Sequence, residues 1–540
     1  MRSTLLGLAA LVCWSAGLLA AGCGSRTELR PGSVGASGGE PGVEPLPECL
    51  SQFDCPQPEP SQCGFAVCNR GVCELNLGPA CDDGNPCTID VCTADLGCQF
   101  MDGRVDADGD GAFASGNITD PKAALGCGSD CDDANAEVRP GGVELCDALD
   151  NDCNGVVDDG TALQAPALAP VRVSRTQDPD CPASDPACVR SSATGLAFDG
   201  EWFGATMTTQ VRRSKGEFQR IDRSGALLDG PQPLSRVNAE SYGGPLVWTG
   251  ERYLTAYQDA RQDDNYEIYF DVLNRKGQRL VEDVRVTNAD DFSLRPSLVW
   301  TGAEALLVWD DRRFEGAGDA SALFGQRVSL DGELRGANER LTPVGAYGEA
   351  PSIALSDARV GIAFVELRAD GRPGLKFMTA SRTLTDPSTP LEIPFDDPDG
   401  ANVTALGDKF AVTFHQHGDV IGSSIFGVLI GPQGIELMPR SLTVGRHARG
   451  HATYSYGDRF VMVWADDKDG PYQLYAQTFD ARLSPVSPIL RVTSTMTDTV
   501  GPAIAPASDG AMGVLYTDQG SGKPQTFFTR LDCRAAFQDR

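Results

Sequence analysis

The chain has 540 residues, 18 cysteines and a formal net charge of −30 at pH 7, from 75 acidic and 45 basic side chains. That balance argues against nucleic acid or an anionic membrane surface as partner and in favour of cations. Beyond the N-terminus no apolar stretch reaches 18 residues, so the rest of the chain is expected to be soluble.

Residues 1–22 carry one basic residue, Arg2, an apolar run from Leu5 to Leu19, and the small-residue end Ala20-Ala21-Gly22 before Cys23. This order predicts a signal peptide, because the run is shorter than the roughly 20 residues a helix needs to cross a bilayer. Leu19-Ala-Ala-Gly-Cys23 resembles a bacterial lipobox, with Ala20 where a leucine is usual. The resemblance implies lipidation of Cys23 and a cell-envelope protein held in the membrane by its N-terminal lipid, in the outer membrane or at the cell surface. Residues 23–47, rich in Gly, Ser, Pro and Glu, are expected to be a flexible tether.

Residues 48–101 hold nine cysteines and are expected to form a disulfide module, since an exported chain is oxidised and this stretch is too polar to build a core. Its end, Cys81-Asp-Asp-Gly-Asn-Pro-Cys87 through Cys92 to Cys98, resembles a small cysteine-rich repeat of large bacterial surface proteins. The spacing leaves the pairing open.

Residues 102–160 are expected to bind calcium. Between Asp82 and Asp159 stand 19 acidic residues against Arg104, Lys122 and Arg139. Carboxylates this dense raise one another's pKa and oppose folding unless a cation joins them. Asp106, Asp108 and Asp110 occupy positions one, three and five of an EF-hand-type loop, with Gly111 at six and the Ala112 carbonyl at seven. Position twelve is Asn117 instead of Glu, so the loop needs a borrowed ligand, and Asp130, Asp132 and Asp133 are the expected lenders. A second loop places Asp150, Asp152, Asn154 and Asp158 at positions one, three, five and nine, with Gly155 at six and the Val156 carbonyl at seven. Oxygen ligands in irregular number favour Ca²⁺ over Mg²⁺ and Zn²⁺. Cys127, Cys131, Cys146 and Cys153 are read as two disulfides holding these loops, in preference to a zinc site.

Taken together, Asp106-x-Asp-Gly-Asp-Gly, Asp130-Cys-Asp-Asp, Pro140-Gly-Gly-Val-Glu144-x-Cys146-Asp147 and Asp150-Asn-Asp-Cys-Asn-Gly-x-Val-Asp158 resemble the metal-binding repeat named after MopE. The resemblance implies calcium through the matching Asp residues. It does not imply copper, whose site in that family depends on His and a modified Trp, and residues 102–160 contain neither.

Residues 171–533 repeat about every 50 residues, most visibly where Pro245-Leu-Val-Trp-Thr-Gly matches Pro296-Ser-Leu-Val-Trp-Thr-Gly. Seven copies, each with four short strands and no helical period, predict an all-β chain ending in a seven-bladed β-propeller. The seventh copy ends after Phe527–Leu531 without its last strand. Val171-Arg-Val-Ser174 matches the last strands Val284-Arg-Val-Thr287 and Leu490-Arg-Val-Thr493, so it is expected to close the ring. Cys181 and Cys188 are near enough in sequence to pair.

The recurring Asp259-Ala-Arg261, Asp310-Asp-Arg312, Asp466-Asp-Lys468 and Asp518 are read as turn caps or local ion pairs, because an active site breaks repeat symmetry. The four histidines, His415, His417, His447 and His451, are read as exposed loop-edge residues. With no familiar catalytic motif in the sequence, the chain is expected not to be an enzyme but to present a propeller to a protein or glycan ligand. The alternative is a propeller hydrolase or lyase acting on surface polysaccharide, which an asymmetric cluster of carboxylates or histidines at one channel mouth would favour.

Overall fold

The computed structural model describes residues 49–56, 62–85, 87–93, 97–114, 128–142, 144, 149–155, 161–164, 169–174 and 190–535, less 211–212, 238, 263–264, 314–320, 369, 417–423, 445–446 and 521–522. Cys23, Asn117, Cys127, Cys146, Val156, Asp158, Cys181, Cys188 and His417 lie outside the described residues. Among the described residues the fold is all-β, with a single 3-10 turn at Gln52–Asp54, and no helix is long and apolar enough to cross a membrane.

Two compact units are present. One comprises residues up to Asp83 together with Asp90–Met101, and the other Gly84–Ile89 with Asp102–Arg540. In the first unit, Gln62–Asn69 pairs with Val72–Ala80 through the turn residues Arg70 and Gly71, both at positive φ, as a two-residue hairpin turn of this hand requires. Disulfides Cys49–Cys68, Cys55–Cys73 and Cys81–Cys98 cross-link it. Among the described residues its one apolar cluster is Cys49, Cys55 and Ala66 with Cys68 and Cys73 against them, so the sulfur bridges substitute for a core.

The second unit contains the propeller, and seven blades are present. Six are four-stranded antiparallel sheets, starting at Arg190–Phe198, Leu246–Trp248, Ser293–Trp300, Glu349–Leu355, Pro398–Leu406 and Arg449–Tyr456. The seventh consists of Thr499–Pro506, Met512–Asp518 and Gln525–Ala535, completed by Val171–Arg172, which pairs with Phe528 and Phe527. The N-terminal strand therefore closes the ring as the repeat pattern predicts. A second clasp was not visible in the sequence: Thr161–Gln164 pairs further along the same C-terminal strand, opposite Asp532–Ala535.

First strands of successive blades lie side by side around the axis, and that of blade 7 meets that of blade 1. Hydrophobic burial lies between blades. Seven apolar clusters fill the seven seams, one each, with Trp309 and Phe324 at the seam of blades 2 and 3, and Trp464 and Phe460 at that of blades 5 and 6. Alternation along each strand sends successive residues to opposite seams, which is why the second strands are buried throughout.

Candidate metal centre

The first acidic loop is shaped by its own carboxylates. Asp106 accepts the amides of Gly109 at 2.7 Å and Gly111 at 3.2 Å, Asp108 accepts that of Asp110 at 3.2 Å, and Asp110 accepts that of Ala112 at 2.7 Å. The three carboxylates offer oxygens within 4.8 Å of one another.

Asp130 is brought to this loop from 20 residues downstream of Asp110 by the backbone. Its amide donates to the Phe113 carbonyl at 3.0 Å, and residues 114 and 130 form a parallel bridge. The approach depends on Gly128, where a Cβ would lie 1.7 Å from the Phe113 carbonyl oxygen. Asp130 is 1 % exposed and Asp133 5 %. Asp130 Oδ2, Asp108 Oδ2, Asp110 Oδ2 and both carboxylate oxygens of Asp133 are buried with no hydrogen-bond partner among the described residues. Burial first, then the charges of Asp110, Asp108 and Asp133, hold the Asp130 carboxyl above its usual range. Asp132, by contrast, donates its amide to Asp130 Oδ1 at 2.9 Å and is exposed, so the three expected lenders do not behave alike.

Ionised carboxylates with buried, unpartnered oxygens are costly unless a cation satisfies them. The donor set is hard oxygen throughout, which suits Ca²⁺ and does not suit a thiophilic ion. Cys131 and Cys153 are joined in a disulfide, so neither is available as a thiolate ligand, and the disulfide reading stands for this pair.

The second loop repeats the geometry. Asp150 accepts the amides of Asn154 at 3.0 Å and Gly155 at 2.7 Å, and Asp152 accepts that of Asn154 at 3.0 Å. Glu144, not among the expected ligands, is 8 % exposed, accepts the Asp152 amide at 2.8 Å, and lies with Asp150 and Asp152 in a second oxygen cluster. Its signal in the sequence was an acidic residue just after the Gly141-Gly142 turn. Arg139 links the loops, donating its amide to the Asn151 carbonyl at 2.9 Å and its guanidinium to the Asp110 carbonyl at 3.5 Å. A third acidic cluster, Asp82, Asp83 and Asp90, lies in the cysteine-rich stretch.

On the propeller the recurring acidic residues mostly form local pairs. Asp259 and Asp283 bind Arg261, Asp311 binds Arg313 and the Trp309 indole, Asp466 accepts the Lys468 amide, and Asp518 accepts the Gly520 amide. The histidines are not simply loop-edge residues. His451 is buried, accepts or donates a 2.8 Å bond at Thr413, and stands 6.4 Å from the His415 ring, centroid to centroid. Burial, with the neighbouring His415, pushes it down to about 3. The half-buried His447 contacts Asp467 at 2.7 Å.

Comparisons with known proteins agree with both halves. Residues 130–159 match the family described as "Putative metal-binding motif", named for copper binding in MopE, and residues 80–101 match a Dictyostelium (slime mold) repeat. No curated protein matches. Among solved structures, a Dyadobacter fermentans protein of unknown function is 11 % identical with a TM-score of 0.42, covering 70 % of this chain and 100 % of its own. The propeller domain of the Pyrococcus furiosus trilobed protease is 9 % identical at 0.41, covering 63 % and 95 %. An α-L-arabinanase from Penicillium chrysogenum is 10 % identical at 0.38, covering 68 % and 98 %. The expectation that the chain is not an enzyme is corrected: the solved structures it resembles include this arabinanase and a Fusarium graminearum α-L-arabinofuranosidase, and a lack of familiar sequence motifs gives no ground for excluding an enzyme.

Proposed function

We propose that the chain is a calcium-binding, lipid-anchored protein of the cell envelope that presents a ligand-binding propeller outside the membrane. The observation that carries the calcium half is the approach of buried Asp130 to the loop of Asp106, Asp108 and Asp110, with buried Asp133 near it and unpartnered oxygens on both. Calcium would neutralise these carboxylates and order the acidic module, with Asp150, Asp152 and Glu144 as a second oxygen set. The lipobox-like Leu19–Cys23 supports the anchor, and the propeller architecture supports ligand binding.

The test is calorimetric titration of Ca²⁺ into the chelator-stripped mature chain, with thermal melting beside it. Saturable heat is expected, with stabilisation of about 2.7 kcal/mol at free calcium a hundredfold above Kd. The Asp130→Asn/Asp133→Asn variant should bind at least about tenfold more weakly, as loss of charge-assisted contacts predicts. Neither heat nor stabilisation in the wild-type chain would remove the calcium reading. Radiolabelled fatty-acid incorporation, lost in Cys23→Ser, tests the anchor.

A second reading, hydrolysis of surface polysaccharide, is favoured by the uneven placing of Asp310, Glu349, His415 and His447 at the end of the blades where first strands begin. Release of reducing ends from arabinan or an acidic polysaccharide tests it; a chain that releases none from a broad panel is a binding protein.

A further inference from the structure

The seam between blades 3 and 4 departs from the pattern of the other seams in three ways. Each concerns the end of the blades where first strands begin and second strands finish.

The first is Arg312. It follows Asp311 at the end of the second strand of blade 3, and its amide donates to the Phe292 carbonyl at 2.9 Å. Strand alternation puts Trp309, Asp311 and Arg313 on one side and Asp310 and Arg312 on the other. Arg313 duly pairs with Asp311 and stacks on Phe324, its guanidinium carbon 4.4 Å from the ring centroid. Arg312, expected from the sequence to be a local ion pair, has none among the described residues, and its Nε is buried without an acceptor. In a chain of net charge −30 such an arginine is conspicuous. Equivalent positions in other blades hold Gln210, Ala260, Leu367, Asp467 and Gln519, so no repeated structural role explains it.

The second is Arg295. The first strands of blades 3 to 7 have a bulge near their start, and in blades 4, 5, 6 and 7 the residue at positive φ there is Ala350, Gly400, Gly450 or Gly501. Blade 3 puts Arg295 in that conformation, at φ 51°. Among these five bulges it is the one that carries a charged side chain, where the others carry alanine or glycine. Its side chain is 43 % exposed, gripping Asp310 at 2.8 and 3.0 Å and Glu349 of blade 4 at 2.7 Å through Nε and Nη2, with no partner for Nη1 among the described residues.

The third is Tyr347, half-buried at the start of blade 4. Burial, with the Glu349 carboxylate beside it, pushes its hydroxyl up from the usual tyrosine range, and Arg295 and Arg312 are close enough to oppose this electrostatically.

We infer that this seam binds a carboxylate-bearing saccharide, with Arg312 forking onto the carboxylate and Tyr347, Glu349 and Arg295 meeting the ring and its hydroxyls. Guanidinium geometry matches a planar carboxylate in two parallel bonds, and an aromatic ring beside fixed donors and acceptors suits a polyhydroxylated ring. The protein's overall negative charge does not forbid it, because charges beyond about 8 Å are screened at physiological ionic strength. The inference deepens the ligand-binding half of the proposed function and is independent of the calcium half.

The test is calorimetry of the full mature chain with trimers of galacturonate, glucuronate and mannuronate, and with a neutral galactose trimer, inorganic phosphate and a peptide with a free C-terminal carboxylate. At least one acidic trimer should bind, weakening with salt, while the neutral trimer does not. Arg312→Gln should weaken that binding about 10- to 100-fold with an unchanged Tm, Arg312→Lys should restore it only in part, and Gln519→Ala should leave it unchanged. Binding should persist in Asp130→Asn/Asp133→Asn, which separates failure here from failure of the calcium reading. No binding of any acidic trimer, equal binding by Arg312→Gln, or equal affinity for phosphate or the peptide would overturn the inference.

Discussion

The acidic module and the propeller belong to one compact unit and are held together by opposite means. Around Asp106–Gly155 the buried side chains are largely polar, Asp130, Asp133, Glu144 and Asn151, with Ala114 and Val138 among the few buried apolar ones. In the propeller each seam buries its own apolar cluster, and the buried polar groups are largely satisfied by local pairs such as Asp311 with Arg313 and Trp309. A stretch without a core can hold its shape by disulfides and cation binding, whereas a stretch with distributed cores needs neither. The difference teaches where solution conditions act: redox state and chelation on the module, apolar substitution on the propeller.

The comparison is broken most severely by Trp309→Ala. The side chain is fully buried at the seam of blades 2 and 3, and its loss is expected to cost about 3–5 kcal/mol in denaturant unfolding, with calcium titration unaffected. Next comes Cys131→Ser with Cys153→Ser. Opening a bridge between residues 22 apart in sequence should cost the module about 3 kcal/mol, seen as rapid proteolysis between residues 128 and 155 while the propeller stays intact. Gly128→Ala should displace the Asp130 segment from Phe113, at a cost of about 1–3 kcal/mol, and weaken calcium binding without altering the propeller's melting.

The most gradual effect, spread over several pH units, sharpens the comparison through pH. His451 titrates near 3 when folded against 6.5 when unfolded, so between these values the unfolded chain binds the extra proton. Propeller stability is therefore full above about pH 6.5 and falls as pH drops toward 3, with a slope of up to about 1.4 kcal/mol per pH unit. Melting of His451→Gln across that window should show the shallower slope; an unchanged slope would mean that His451 is not the group responsible.

Much of this was legible in the residues. The repeat of Pro245-Leu-Val-Trp-Thr-Gly gave the blade, and Val171-Arg-Val-Ser174 identified the closing strand, because strands of one repeat must share an alternation of buried and exposed positions. The loop of Asp106, Asp108 and Asp110 was legible for a similar reason: it bends by local hydrogen bonds to amides two to five residues on. The clasp Thr161–Gln164 was not legible, since it carries no local pattern and is defined by a partner far along the chain, and Glu144, though it stands in the repeat motif, was not read as a ligand because its approach to Asp150 and Asp152 is made by folding.

The histidines and arginines mark the same boundary more sharply. His451 looked like a loop residue and is buried against Thr413, and Arg312 looked like the partner of a neighbouring Asp and has no carboxylate partner among the described residues. By itself the sequence determined the all-β class, the seven copies, the ring closure and the acidic loops, because periodicity and short-range hydrogen bonding are properties of contiguous residues. Only the tertiary structure decided which carboxylates converge, which histidine is dry and which arginine is left over, because those depend on which blade or loop meets which, and burial and charge are settled by neighbours that the chain brings in from elsewhere.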